Sequence, residues 1–228
     1  MMMHWSPKTL FLLRLALGAC ALLAAAWLFG AIAEDVVNHD APLDALDTQT
    51  SRWLHGHSQS ALTSLMFACS AIGSPAVVLT IATAAALLAY RRRQAMAALL
   101  LVLAVPGGML LNVLVKLLVH RQRPVFDDPI LSLSSYSFPS GHAAGSTLLL
   151  GALAAIVIWH VRTWQLRVLA ISAALLLVAL ICFSRIYLGV HFLSDVVAGF
   201  LEGCVWLGAC LIAIEALHHG NIGRRPAL

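Results

Sequence analysis

His191 and Asp195 have the residue types and the spacing of a nucleophile and the carboxylate that orients it. If a helix begins near His191, the i, i+4 spacing places both side chains on one face. The carboxylate can then accept the Nδ1–H of the imidazole and leave Nε2 free as a nucleophile or base. An isolated pair of this kind is more often a helical ion pair or cap, and a zinc site would need further ligands at a suitable spacing. The pair alone therefore does not indicate catalysis, and the groups around it must decide between these interpretations.

Three cations, Lys116, Arg123 and Arg185, lie at the ends of apolar stretches and predict an anion site. The fork of a guanidinium group matches the oxygens of a phosphate. Phosphoryl transfer spreads negative charge over those oxygens, and fixed positive charge stabilises it. Single Lys and Arg side chains often snorkel to a membrane interface. Snorkelling does not account for three cations on the less basic side of the chain, so we favour phosphate binding.

A third cluster, Pro139-Ser140-Gly141-His142, precedes a helix of small residues. The free N–H groups at a helix start, together with the helix dipole, favour an anion there. A second imidazole beside such a site can protonate a leaving alkoxide as a general acid. Pro and Gly before a helix are commonly only punctuation, and a lone His is commonly structural. The pattern predicts that two histidines divide the chemistry, one attacking phosphorus and one serving the leaving group.

The composition places these clusters in a membrane protein. Of the 228 residues, 61% are hydrophobic and 11% are charged, and the mean hydropathy is +0.91. A soluble domain of this length carries about 25% charged residues, so the bilayer is the expected solvent. The net charge of +4 comes without a basic run interleaved with aromatics, so we do not expect nucleic acid as a partner. The five cysteines lie in apolar stretches, without disulfide-framework or metal-ligand spacing.

Six apolar segments of spanning length predict an all-α bundle with about six transmembrane helices. The sequence Ala71–Pro75 is expected to interrupt the second segment, or else that segment begins at the interface. We see no repeat or linker, so the expectation is a single domain over residues 1–228, with the motifs in a core over 95–217. The segments are Thr9–Ala33, Ala61–Tyr90, Ala95–Val119, His142–Trp159, Leu166–Phe183 and His191–Leu217.

The first apolar segment also resembles a signal peptide. It has a basic start, an apolar run and a small-residue end at Ala31–Ala33, and Leu17–Cys20 is similar to a lipoprotein cleavage site. The apolar run continues well past Cys20 and is long enough to span a bilayer. We therefore expect an uncleaved helix.

The loops predict an orientation for the bundle. Most Lys and Arg residues fall at alternate helix ends, which the positive-inside rule assigns to the cytoplasm together with both termini. The three clusters then share the opposite, outer side, where the acidic first loop also holds a candidate interfacial helix around Trp53. We expect an integral protein of a bacterial inner membrane. The cytoplasmic cations are Lys8, Arg91–Arg93, Arg162, Arg167, Arg224 and Arg225.

Taken together, the three clusters resemble the three-part signature of the type 2 phosphatidic acid phosphatase (PAP2) superfamily. The parts are Lys116-x6-Arg123-Pro124, then Pro139-Ser140-Gly141-His142, then Ser184-Arg185-x5-His191-x3-Asp195, in the family's order and without a departure. The resemblance implies a six-span bundle that hydrolyses lipid phosphates or pyrophosphates at the outer face without a metal or other cofactor. It further implies the roles of His191 as phosphorylated nucleophile, Asp195 as its orienter and His142 as acid. The phosphoryl oxygens would be bound by Lys116, Arg123, Arg185, Ser140 and the Gly141 backbone.

Several alternatives stay open at the level of sequence. The same superfamily includes vanadium haloperoxidases, but these resemble soluble proteins and this chain is too apolar. A phosphotransferase would pass the phosphate to another lipid, and a non-catalytic protein would keep the fold only for lipid binding. The lipid itself is not specified, with undecaprenyl pyrophosphate, phosphatidylglycerophosphate and phosphatidic acid all compatible. Two intramembrane charges, Arg14 and Glu202, are not explained by the motifs, and we expect Glu202 to be either in a structural ion pair or a hydrogen-bonded acid facing the bundle.

Overall fold

The apolar segments form the helices of the chain. In the computed structural model, which describes residues 7–222, the chain contains eight α-helices and is otherwise irregular. The all-α class predicted from the sequence is confirmed. The helices are α1 (Pro7–Asn38), α2 (Ala41–Gly56), α3 (Ser60–Ile72), α4 (Pro75–Arg91), α5 (Ala95–Val119), α6 (Gly141–His160), α7 (Trp164–Tyr187) and α8 (Leu193–Ile222).

Within the described residues, five helices are long and apolar enough to cross a bilayer, and the α3–α4 pair makes a sixth span if it is counted as one. The pair bends by 44° at the interruption predicted from the sequence. Ser74 caps α4 by accepting a hydrogen bond from the Val77 N–H, and Pro75 occupies the first helical position. A proline there costs no hydrogen bond, since that N–H has no partner inside the helix.

Polar and apolar side chains are distributed as a bilayer requires. Large apolar side chains face outward, among them Trp27 at 73% and Leu118 at 80% exposure, whereas Asp195 is fully buried. In water this surface would be unfavourable, because each exposed apolar area costs free energy in proportion to its size. In a bilayer the same surface faces hydrocarbon. The chain is therefore an integral membrane protein.

Most helix bounds lie within two residues of the predicted segments, but α1, α7 and α8 continue to Asn38, Tyr187 and Ile222, past the predicted ends Ala33, Phe183 and Leu217. Helix α5 covers Ala95–Val119 as predicted, and the candidate interfacial helix is observed as α2. The last helix begins near His191 as expected, at Leu193, but His191 itself lies outside it, so the expected pairing with Asp195 on one helical face is wrong. The side chain of Asp195 accepts the Phe192 N–H at 2.9 Å and so caps the start of α8. His191 therefore lies in the turn before α8, outside the helix.

Neighbouring helices bring four helix ends together. Helix α6 packs against α5, α7 and α8, so the C-terminal ends of α5 and α7 meet the N-terminal ends of α6 and α8. Gly199 permits the closest of these approaches, because a Cβ there would lie 2.4 Å from the carbonyl oxygen of Ser140. At the opposite end, Gln94 and His160 are joined by a 3.0 Å hydrogen bond. The side chain of Arg14, in α1, lies outside the described part of the structure.

Candidate active site

A tight turn between α7 and α8 places His191. Gly189 adopts a φ of +70°, a conformation that costs a glycine little and a residue with a Cβ much more. A Cβ at this position would also lie 2.9 Å from the ring of Phe126. The Val190 N–H donates to the Arg185 carbonyl at 3.2 Å. The chain thus reverses directly after α7 and brings His191 beside the last turn of that helix.

The His191 imidazole lies between a carboxylate and a guanidinium. Its Nδ1 is 3.4 Å from Asp195 Oδ2, and its Nε2 is 3.2 Å from Nη1 of Arg123. A guanidinium can only donate, so Nε2 carries the lone pair and the proton of the neutral ring is on Nδ1, facing Asp195. Burial lowers the pKa of His191 to about 4, against the opposing influence of Asp195. The ring is therefore neutral at pH 7 and carries a lone pair on Nε2.

Asp195 is held by groups from three parts of the chain. Arg121 donates to its Oδ1 at 2.7 Å, and Ser137 donates a short hydrogen bond to its Oδ2. Its backbone carbonyl accepts the Ser140 N–H at 2.9 Å. The contact that was predicted on a helical face is thus made instead by a turn, and the carboxylate is fixed mainly by groups other than His191.

Lys116 and Arg123 organise the loop between α5 and α6. The Lys116 ammonium group donates to the carbonyls of Tyr136 at 3.0 Å, Ser137 at 3.3 Å and Pro139 at 2.6 Å. Arg123 donates to the Ser135 carbonyl at 2.7 Å and to the Tyr136 carbonyl at 3.1 Å. Both cations thus shape the loop that carries the Pro-Ser-Gly-His sequence, and they bring their charge to it.

Three buried polar atoms at this site have no hydrogen-bond partner among the described residues: Nδ1 of His191, which lies 3.4 Å from Asp195, the hydroxyl of Ser140, and Nε of Arg185. The side chains of Ser140 and Arg185 are almost completely buried. Arg185 donates from Nη1 to Ser70 of α3 in a short hydrogen bond. Buried polar groups are normally satisfied in a native protein, so the Ser140 hydroxyl and the Arg185 Nε point to a site for a polar ligand.

The start of α6 completes the site. Gly141 and His142 are half-buried, whereas Ser140 is fully buried. His142 lies within electrostatic range of Arg185, His191, Arg123 and Lys116. The structure thus brings all eight residues predicted from the sequence to one end of the bundle. Free N–H groups at a helix start, three cations and a neutral imidazole together form a geometry suited to binding and attacking a phosphoryl group.

Sequence reasoning missed several residues around this site, among them Ser137, which donates to Asp195, and the pair Arg121 and Asp47. Arg121 lies in the first motif segment between Lys116 and Arg123, and Asp47 lies in the acidic first loop. Asp47 is 1% exposed, and its Oδ2 accepts from Arg121 at 2.8 Å. An extra arginine in the motif was the only available signal. The partner of this arginine lies on α2 and could not be found from local spacing.

Of the two alternatives for Glu202, the structure shows the hydrogen-bonded acid. Asn112 of α5 donates to its Oε2 at 2.7 Å, and both side chains are buried. The Oδ1 atom of Asn112 would lie 3.1 Å from a Cβ at position 141. The pair therefore packs directly beneath the glycine of the α6 start.

The fold and the site define an integral membrane helical bundle with a His–Asp pair beside clustered cations. The model of the PAP2 superfamily matches residues 95–218, which is more than half of the chain. The chain belongs to the PAP2 superfamily.

Curated relatives match a segment of the chain. Phosphatidylglycerophosphatase B of Bacillus subtilis is 36% identical over 107 residues, 46% of this chain and 52% of that protein. Decaprenylphosphoryl-5-phosphoribose phosphatase of Mycobacterium tuberculosis is 38% identical over 110 residues, 45% of this chain and 50% of that protein. The matched segment thus covers about half the length of these relatives.

Solved structures match over most of the chain. The transmembrane PAP2-type phosphatidylglycerolphosphate phosphatase from Bacillus subtilis superposes with a TM-score of 0.77 at 24% identity, covering 87% of this chain and 96% of that one. Aquifex aeolicus LpxE gives a TM-score of 0.59 at 24% identity and covers 73% and 95%, respectively. At this identity the likeness shows the fold alone.

Proposed function

We propose that the chain is a membrane lipid phosphatase that hydrolyses a lipid phosphomonoester or pyrophosphate through a phosphohistidine on His191. The observation that carries this proposal is the position of the His191 Nε2 lone pair, 3.2 Å from the Arg123 guanidinium. A phosphoryl group bound by that cation lies within reach of the nucleophile. Neutral histidine is the reactive form, and the low pKa of His191 keeps it so at pH 7.

The first step transfers the phosphoryl group to the enzyme. Nε2 of His191 attacks phosphorus, and the bond from phosphorus to the lipid oxygen breaks. His142, protonated once the negative charge of the bound phosphoryl group offsets the neighbouring cations, gives its proton to the departing oxygen. Asp195 stabilises the positive charge that develops on the His191 ring. The phosphoryl oxygens are bound by positive charge and N–H donors, namely Lys116, Arg123, Arg185, the Ser140 hydroxyl and the Gly141 backbone.

The second step returns the enzyme to its starting state. His142, now neutral, takes a proton from water, and the resulting hydroxide attacks phosphorus. The bond from phosphorus to Nε2 breaks and inorganic phosphate is released. The site needs no residue beyond those of the first step, because His142 alternates between acid and base.

The names of the relatives indicate the class of substrate. Those proteins are named as phosphatases of phosphatidylglycerophosphate and of a decaprenyl-linked phosphoribose. Their shared chemistry is a phosphate group on a lipid. We propose the same class here, including undecaprenyl pyrophosphate and phosphatidic acid as candidates.

A substrate panel tests the proposal. The purified full chain in detergent is given phosphatidylglycerophosphate, phosphatidic acid and undecaprenyl pyrophosphate, and both free phosphate and lipid products are measured. We expect free phosphate from at least one of them and none from a His191→Ala variant. Formation of a new phosphorylated lipid without free phosphate would instead identify a phosphotransferase. Absence of any phosphate transfer and of any trapped phosphohistidine would refute catalysis.

We also propose that the site faces the outside of the cell and that the membrane is a bacterial inner membrane. The arginine run Arg91–Arg93 ends α4, away from the end where the motifs meet, and the positive-inside rule assigns that run to the cytoplasm. Reporter fusions at Arg92 and Asp128 should report opposite sides. Fusions that report the same side would contradict both the orientation and the six-span arrangement.

A further inference from the structure

Arg121 links α2, the candidate interfacial helix, to the carboxylate of Asp195 beside His191. Its Nη1 donates to Asp195 Oδ1 and to Ser194 Oγ, both at 2.7 Å. Its Nη2 donates to Asp47 Oδ2 at 2.8 Å. The side chains of Arg121, Asp47 and Asp195 are only 9%, 1% and 0% exposed. One guanidinium thus bridges two buried carboxylates from helices far apart in the sequence.

Asp47 is itself fixed to the start of α8. Its Oδ1 accepts the Ser194 N–H at 2.9 Å, and its Oδ2 accepts a short hydrogen bond from the Ser194 hydroxyl. Arg121, Asp47 and Ser194 therefore form a closed ring of hydrogen bonds, to which Asp195 is joined through Arg121. Burying a carboxylate is unfavourable unless other groups pair with it. A helix that served only as an interfacial anchor would therefore be expected to leave Asp47 exposed.

The bridge determines which oxygen of Asp195 faces His191. Arg121 occupies Oδ1, so Oδ2 remains to approach Nδ1 of His191 at 3.4 Å. Arg121 also lies over the ring of Phe192, with its guanidinium carbon 4.4 Å from the ring centroid. It thus holds both the carboxylate and the residue that follows His191. The carboxylates of Asp195 and Asp47 outweigh burial and raise the pKa of Arg121, so this bridge stays charged.

We propose that Asp47 and Arg121 are positioning residues for the phosphatase reaction, acting through Asp195 to hold His191 in its attacking orientation. The inference rests on the proposed function, since it concerns the same reaction. Neither residue is assigned to the phosphate-binding set, which consists of Lys116, Arg123, Arg185 and the α6 start. Loss of the bridge should therefore slow the chemical step and leave phosphate binding intact. A merely structural staple would instead affect binding, stability and turnover together.

Single substitutions on each side of the bridge test this prediction. Asp47→Asn keeps the shape and removes the charge, while Arg121→Lys keeps the charge and removes the fork that spans two carboxylates. Single-turnover formation of phosphohistidine should fall by about 10- to 100-fold in each, by analogy with the loss of a hydrogen-bond partner that orients a metal-ligating histidine. KM and inhibition by vanadate should change by less than about threefold. The matched control is Asp40→Asn, an exposed carboxylate at the start of the same helix, which should behave as wild type.

The double variant separates a relay from two independent effects. If both residues act through Asp195, combining Asp47→Asn with Arg121→Lys should slow phosphorylation no more than the slower single variant does. Multiplied losses would overturn the proposal. A wild-type rate of phosphorylation in either single variant would also overturn it. So would a loss of vanadate affinity as large as the loss of rate.

A measurement without substrate keeps the positioning claim separate from the proposed activity. The ¹⁵N signals of the His191 ring, assigned by comparison with His191→Gln, report the contact between Nδ1 and Asp195. They should shift in Asp47→Asn and stay in place in Asp40→Asn, whether or not the wild type turns over a lipid phosphate. Unchanged signals in Asp47→Asn would refute the positioning role. A wild type that forms no phosphohistidine from any lipid of the panel would refute the proposed function instead.

Discussion

Gly199 is where a single methyl group should separate the helices that build the site. A Cβ at this position would lie 2.4 Å from the Ser140 carbonyl oxygen, 3.1 Å from Ala143 Cβ and 3.2 Å from the Ser140 nitrogen. The two close atoms of Ser140 belong to the backbone, so no side-chain rotation can relieve the contact. Gly199→Ala must therefore push α8 away from the start of α6. The displacement also lengthens the 2.9 Å hydrogen bond from the Ser140 N–H to the Asp195 carbonyl.

The magnitude of the Gly199→Ala effect follows from two opposing contributions. Overpacking a close-packed core costs about 1–3 kcal/mol, and a contact with backbone belongs at the upper end. Replacing a helical glycine by alanine gains about 1 kcal/mol. We expect a net loss of about 2 kcal/mol in the free energy of unfolding, together with weaker phosphate binding because Ser140 moves. The matched control is Gly145→Ala in α6, where a Cβ would find its nearest neighbour, Val78, at an ordinary 3.6 Å.

Thermal unfolding in detergent, read together with vanadate affinity, measures both effects. Gly145→Ala should melt at or above the wild-type temperature and bind vanadate normally, whereas Gly199→Ala should lose both stability and affinity. If Gly199→Ala melts like Gly145→Ala, the close approach of α8 to Ser140 is not what holds the site together. A loss of stability with unchanged vanadate affinity would mean that the displacement does not reach the anion site.

Three further predictions concern the chemistry. His191→Ala should abolish phosphohistidine, whereas His142→Ala should lose about 10²–10⁴-fold in turnover of a lipid phosphate and much less with an aryl phosphate, whose leaving group needs no proton. If the aryl phosphate restored turnover in His191→Ala instead, the two assigned roles would be reversed. Because burial lowers the pKa of His191 to about 4, its ring should stay about 90% neutral at pH 5, where a free histidine of pKa about 6.5 would be only about 3% neutral. Acid titration followed by ¹⁵N NMR of the ring measures this pKa, and a midpoint near 6.5 would contradict the prediction. Since Lys116, Arg123 and Arg185 supply the positive charge, turnover should survive EDTA and be inhibited by vanadate; a loss on chelation that one divalent ion restores would show that a metal is required.

Local signals in the sequence predicted most of the helices correctly. The apolar run of α5 ends at polar residues on both sides, so its bounds Ala95–Val119 could be predicted. The break at Gly73 and Ser74 could be predicted from a glycine, a capping serine and a proline in succession. The first residue of α8 could not, because the cap depends on the side chain of Asp195 reaching back to the Phe192 N–H. That the whole chain forms a single domain stays a prediction.

The motif residues could be predicted as a set because each carries a reactive or charged group in an otherwise apolar chain. Their partners could not, since they are separated by long stretches of sequence. Asp47 and Arg121 are 74 residues apart, and Ser137 and Asp195 are 58 apart. No periodicity connects such pairs, and each residue alone has an ordinary explanation as a surface acid, a snorkelling arginine or a loop serine.

Asp195 shows why the missing partners matter physically. A carboxylate taken out of water is unfavourable unless several donors replace its hydration, and the single motif partner, His191, lies 3.4 Å away. The shorter hydrogen bonds come from Arg121, Ser137 and the Phe192 N–H. These donors belong to the α5–α6 loop and to the turn before α8. The motif therefore contains the groups proposed to react, while the loops around them provide the hydrogen bonds that keep a charged aspartate inside a membrane protein.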